Sequence, residues 1–231
     1  MMLLGLPGFG KSTLARKIML GLIATGVTAL VLGDMKPDYR KLVESIDGGQ
    51  IIDLGNGAGQ LNPLDMGPLS QILPTLDAAV TDRRDHADLA REHGRIELAD
   101  QLTLSADKAA TIARQVRARI SGDRLRRIKS LSELTRGRRI EDFEEAALRE
   151  ALALCDEAGQ RSGTQPELTD LIAILDHCPQ PILDAYCETD RQACLLESKP
   201  LRRTLKSLLK GGFGDVFSGQ TTTPILSLIH I

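Results

Sequence analysis

The run Met-Met-Leu-Leu-Gly-Leu-Pro-Gly-Phe-Gly-Lys-Ser-Thr at residues 1–13 most constrains what this chain can fold into. Gly5, Gly10, Lys11 and Ser12 fit the spacing G-x-x-x-x-G-K-[ST], the phosphate-binding P-loop. Glycines let backbone N–H groups turn inward around phosphate oxygens, Lys11 reaches the β- and γ-phosphates, and Ser12 ligates Mg²⁺. The helix that follows places its positive end under the same phosphates. Leu3 and Leu4 read as the end of a buried strand, and Leu14, Ile18 and Leu22 recur at helical spacing until Gly26. Strand, loop and helix are the context the motif requires, so the segment predicts a nucleotide site.

Thr28 to Leu32 is a short apolar run between Gly26 and Gly33-Asp34, and it reads as a second buried strand. Strand, crossover helix and strand within some thirty residues predict a βαβ unit with a parallel sheet. Asp34 would stand at the carboxyl end of that strand, where open α/β sheets place ligands. Position alone leaves it between a phosphate-side or metal-side role and a turn cap. Pro37 to Ile46 reads as a short helix, and Gln50 to Leu54 as a third strand. Gly55 to Gly59 then form a glycine-rich loop that permits close approach of backbone to a ligand or neighbour, before Leu61-Asn62-Pro63-Leu64-Asp65.

From about Asp82 the character changes to mixed charge, with only a thin apolar stripe of Leu89, Ile96 and Leu98. Residues 108–139 carry eleven cations against two acids, Asp123 and Glu133, a local balance of +9. Ile112, Val116 and Ile120 recur every four residues, which predicts an amphipathic helix with a basic outer face. Such a face could meet nucleic acid, a membrane surface or an acidic partner. A solvated face opposite the acids Glu141, Asp142, Glu144 and Glu145 is the preferred reading, because no aromatic side chain is interleaved. Glu141 to Ala158 predicts a helix with Phe143, Ala147, Leu148, Leu152 and Leu154 inside. Pro166 is placed in the first turn of a helix ending near Asp176, Pro179 and Pro181 stop it, and Leu195 to Leu209 predicts a last basic helix.

Composition narrows the functional classes. Net charge is −2, and the aromatic share is 3% with no Trp, so neither a global basic field nor a base-stacking platform is present. No apolar run approaches the ~20 residues of a membrane span, and no secretory signal is evident at the start, which predicts a cytoplasmic protein. Cys155, Cys178, Cys187 and Cys194 lack the C-x-x-C spacing of zinc sites and read as scattered reduced thiols. His86 and His93 lie among charged residues and take no ligand role.

An efficient P-loop ATPase also needs an apolar strand ending in an acid. Leu171-Ile172-Ala173-Ile174-Leu175-Asp176 imitates one, but its apolar spacing fits a helix and His177 follows the Asp. The catalytic acid is therefore expected beyond Ile231. Residues 226–231, Leu-Ser-Leu-Ile-His-Ile, resemble an in-frame translation of a sequencing adapter and are expected to be non-native.

The order GLPGFGKST, ALVLGDMKPDY and GGQIIDLGNGAGQLNPLD resembles the large ATPase of conjugative and type IV secretion machines. That family is TraC-like and VirB-type, within the HerA/FtsK branch of P-loop ATPases. The resemblance rests on Asp34 with Asp38-Tyr39, on Gly48-Gly49, and on Asn62-Pro63-Leu64, and it covers nearly all of residues 1–225. It implies an α/β P-loop NTPase of RecA-like type, with a partial parallel sheet and a largely helical insertion. The implied layout is an ATPase core at 1–81, a helical insertion at 82–210, and a return toward the core at 211–225. It also implies an ATP hydrolase, incomplete in this fragment, working as a homo-hexameric motor on secretion or conjugation channel subunits and touching the membrane only peripherally. ATP and Mg²⁺ are the implied cofactors. Gly5, Gly8, Gly10, Lys11, Ser12, Thr13 and Asp34 bind nucleotide on this reading, and Ser12 holds the metal. Alternatives are a DNA-translocating ATPase of the same branch, a P-loop small-molecule kinase, and a non-catalytic nucleotide-binding module.

Overall fold

A computed structural model describes residues 10–31, 39–54, 59–67, 69–210 and 214–222. The chain divides into two compact units, residues 1–53 with 226–231, and residues 54–225. In the first unit, the described residues hold α1 (Lys11–Ala24) and α2 (Arg40–Glu44). Helix α1 ends where Thr25 and Gly26 turn their N–H groups back to the Leu22 and Ile23 carbonyls, with Gly26 at φ 85°. The bidentate pair of Arg40 with Asp53, 2.9 Å to each oxygen, links α2 to the 50–54 segment.

The expected α/β architecture is overturned: among the described residues there is no strand, and the fold is all-helical. Residues 28–31 and 50–54, read as buried strands, pair into no ladder. Residues 28–31 are exposed, Leu30 to 61%, and in the second run Leu54 is 51% exposed while Ile51 and Ile52 are only half-buried. An apolar run becomes a buried strand only where neighbouring strands take up its backbone groups and a layer covers its faces. Neither condition is met here. The run around Leu3-Leu4 lies outside the described residues.

The second unit is built from eight helices among the described residues. Helices α3 (Leu69–Glu92) and α4 (Ile96–Arg136) form a hairpin that turns at Gly94, φ 70°. Its seam is made of alanines, with Ala87, Ala90, Ala99, Ala106, Ala109 and Ala113 all buried. Small side chains let the two backbones approach closely. Leu89, Ile96, Leu98 and Ile112, which the spacing placed on an inner face, are instead 43–59% exposed. Gly137 ends α4 in the left-handed conformation, φ 69°.

Helix α5 (Asp142–Ser162) opens with a capping box between Glu141 and Glu144. Ala147, Leu148 and Leu152 are buried as expected, but Phe143 is 42% exposed and lies against Tyr186, ring centroids 5.5 Å apart. Helix α6 (Leu168–His177) has its own capping box, Glu167 with Asp170. Pro166 therefore precedes the cap rather than occupying the first turn. The strand-like Leu171–Asp176 is helical, as its spacing predicts, and buries Leu171, Ile172 and Leu175. Each such side chain contributes about 2 kcal/mol of transfer free energy.

Pro179 and Pro181 do more than stop α6, since they open α7 (Gln180–Ala185) from its cap and first turn. The expected helix over 195–209 divides at Ser198 into α8 (Arg191–Glu197) and α9 (Lys199–Lys210). Pro200 lacks the N–H a continuous helix would need and fits a first turn instead. A last turn, α10 (Gly214–Phe217), packs on α9. The core gathers Ile128, Leu148, Leu168, Leu175, Ile182, Leu201 and Leu205 from α4 to α9, with Leu64 from the amino-terminal loop.

Candidate nucleotide-binding segment

Helix α1 starts at Lys11, directly after Gly10. Gly10 holds φ 76° and ψ 15°, a left-handed conformation that disfavours residues with a Cβ. A Cβ there would meet nothing within 4 Å, so the glycine answers to conformation rather than crowding. No side chain caps this helix end and its first turn contains no acid. Lys11 and Ser12 are half-buried and Thr13 is exposed on that turn. Arg16 Nε donates to the Ser12 carbonyl at 3.3 Å, bracing the turn from one helical repeat on.

Helix α1 contributes three cations, Lys11, Arg16 and Lys17, and no acid of its own. A helix amino end without a side-chain cap and with neighbouring cations favours an anion. The residues present thus fit a phosphate group, with Ser12 as the hydroxyl available to a phosphate-bound Mg²⁺. Gly5, Gly8 and Asp34 lie outside the described residues. Among the described residues no group of three or more His, Cys, Asp or Glu side chains could enclose a metal ion.

The Asn62-Pro63-Leu64-Asp65 segment, which follows the glycine-rich loop, is a buried staple inside the second unit, while residues 55–58 of that loop lie outside the described residues. Asn62 is 1% exposed and Leu64 fully buried. Asn62 Nδ2 donates to the Pro166 carbonyl at 2.9 Å and to Gln220 Oε1 at 3.3 Å, while its Oδ1 accepts from Leu64 N at 2.9 Å. Leu61 N donates to the Val216 carbonyl and Thr222 N to the Gln60 carbonyl, so 214–222 closes back onto this loop. Arg124, buried in α4, donates from Nε to the Leu64 carbonyl and from Nη1 to Asp156. Burial lifts the Asp156 carboxyl above its ordinary range in spite of that guanidinium.

The basic stretch is largely matched by acids of the same unit, with Arg124 buried and the Arg136 side chain only 9% exposed rather than solvated. Arg136 meets Glu144 at 2.6 Å, Lys129 bonds Glu145, Arg117 meets Asp77 at 2.5 Å and Arg126 bonds Asp123. The hydrogen bond from Lys129 holds the Glu145 carboxyl below its ordinary range and raises the Lys129 ammonium. Arg127 donates to the Asp65 carbonyl at 2.6 Å.

Two features escaped the sequence reading. Cys178 and Cys194, sixteen residues apart, bring their sulfurs to 2.6 Å. The Tyr186 hydroxyl is buried and has no hydrogen-bond partner among the described residues. Spacing carries no signal for either, because both depend on how α6, α7 and α8 pack.

Among the described residues no helix is long and apolar enough to cross a membrane. Comparison with protein-family models, with curated proteins and with solved structures finds no match.

Proposed function

We propose that this chain binds ATP with Mg²⁺ through the amino end of α1 and serves as the nucleotide-binding part of a secretion or conjugation motor. The observation that carries this reading is the coincidence of motif and conformation at one residue. The last glycine of the G-x-x-x-x-G-K-[ST] spacing, Gly10, is left-handed at the cap, and α1 begins on the motif lysine. Lys11 and the first-turn amides hold the phosphates, Thr13 supports the α-phosphate, and the Ser12 hydroxyl meets the metal. Bound Mg²⁺ neutralises phosphate charge. Gly5, Gly8 and Asp34 complete the proposed set.

Assembly as a homo-hexamer against channel subunits belongs to the same proposal and rests on the GLPGFGKST and Asn62-Pro63-Leu64 resemblance. The test is equilibrium binding of a fluorescent ATP analogue with Mg²⁺ to the full chain. Lys11→Ala removes a charge-assisted contact and should weaken binding about tenfold to a hundredfold. Equal affinity of wild type and variant, with helicity unchanged, would refute the assignment.

A further inference from the structure

Helix α6 ends at Cys178, which takes the left-handed conformation with φ 43°. Its N–H still bonds the Ile174 carbonyl, so the residue is fixed at the carboxyl end of the helix. Helix α8 is set by Asp190, whose carboxylate accepts from Gln192 N and Ala193 N, and it carries Cys194 inward. The two sulfurs meet at 2.6 Å, with Cys178 3% and Cys194 0% exposed.

The frame around them is clamped independently of the thiols. Arg202 of α9 donates to Asp176 of α6 at 2.7 Å, to Ser198 Oγ at 3.1 Å, and to the Leu195 carbonyl of α8. One guanidinium thus holds the two helices in register, and the sulfurs are brought together by packing that exists before any bond between them. Cys187, between them in sequence, is exposed, and Cys155 is buried in α5.

We propose that Cys178 and Cys194 are a redox modification site, a thiol pair that closes into a disulfide and ties α8 covalently to the end of α6. The oxidant is a low-molecular-weight disulfide. The thiolate of one cysteine attacks its S–S bond, forming a mixed disulfide and releasing one small thiol. The second protein thiolate attacks the protein sulfur of that mixed disulfide, forming the Cys178–Cys194 bond and releasing the second small thiol. The two protein thiols lose two electrons to the small disulfide, and their protons pass through solvent to the two released thiolates. Because both sulfurs are buried, the first attack waits on local opening of α8, whose seven residues pack on α7 and α9. Burial also pushes the Cys194 thiol up to about 12, which slows the exchange without changing its end point.

The experiment equilibrates the full chain with oxidised glutathione, alkylates remaining thiols and maps cross-linked peptides without reduction. The native chain should lose two alkylatable thiols of its four, with the linkage confined to Cys178 and Cys194. Its urea midpoint should rise and return on adding dithiothreitol. Cys187→Ser should close the same bond. The chain oxidised in denaturing urea provides the reference distribution of pairings. A native linkage involving Cys187 or Cys155, a distribution equal to that in urea, or glutathione on Cys187 with Cys178 and Cys194 still free would each overturn the proposal.

Discussion

Asn62 Nδ2 donates a 2.9 Å hydrogen bond to the carbonyl of Pro166, joining positions 104 residues apart. The same side chain accepts from Leu64 N and reaches Gln220, so one buried amide ties the amino-terminal loop, the start of α6 and the 214–222 return together. Asn62→Ala leaves the Leu64 N–H and the Pro166 carbonyl short of partners in a dry place. The expected loss is about 2–3 kcal/mol, read as a lower urea midpoint. A midpoint within error of wild type would show that the staple is dispensable.

Asp176 sets an acid limit on the second unit. Burial alone would lift its carboxyl, but hydrogen bonds from Lys206 and Arg202 outweigh burial and hold it below its ordinary 3.8. An acid with a depressed folded value binds protons more readily when unfolded. Its stabilisation is therefore present above that ordinary value and is lost as pH falls through the lower folded one. Asp176→Asn should flatten the fall of stability below about pH 4, in thermal melts taken across acid pH. An unchanged pH slope would assign the acid limit to other carboxylates.

Tyr186 offers the opposite case. Its hydroxyl is buried with no partner among the described residues, and burial raises its ionisation well above the ordinary tyrosine range. Removing a buried hydroxyl that bonds nothing costs no hydrogen bond. Tyr186→Phe should leave stability unchanged or raise it by up to about 1 kcal/mol. A drop of that size would mean that the hydroxyl is bonded in solution.

The basic stretch of α4 should not make this chain a strong nucleic-acid binder. Arg136, Lys129, Arg117 and Arg126 are each matched to a carboxylate of the same unit. Fluorescence anisotropy with a labelled duplex at ~150 mM salt should show no saturable binding. Saturable binding with a steep salt slope would place uncompensated cations on one face and favour a DNA-translocating motor.

How much of this was legible in the residues depends on the range of the interaction concerned. Helix α6 was readable because Leu168, Leu171, Ile172 and Leu175 repeat at helical spacing within ten residues. Helix α1 was readable for the same local reason, from the repeat of Leu14, Ile18 and Leu22. The runs at 28–31 and 50–54 were misread as strands, since a short apolar run carries no period of its own and its pairing is decided elsewhere in the chain. The Ala87–Ala113 seam was misread because large apolar residues were expected to mark the buried face, whereas two close-packed helices bury their smallest. The structural role of Asn62 went unread and Cys178 read as a scattered thiol, because Pro166 and Cys194 reach them only through tertiary packing.

Nucleotide binding at α1 is tested most directly by amide hydrogen exchange of the full chain with and without ATP and Mg²⁺. Slower exchange confined to peptides covering residues 5–14, and absent in Lys11→Ala, is the expected result. No change there at saturating ATP, or protection elsewhere with residues 10–14 untouched, would contradict it.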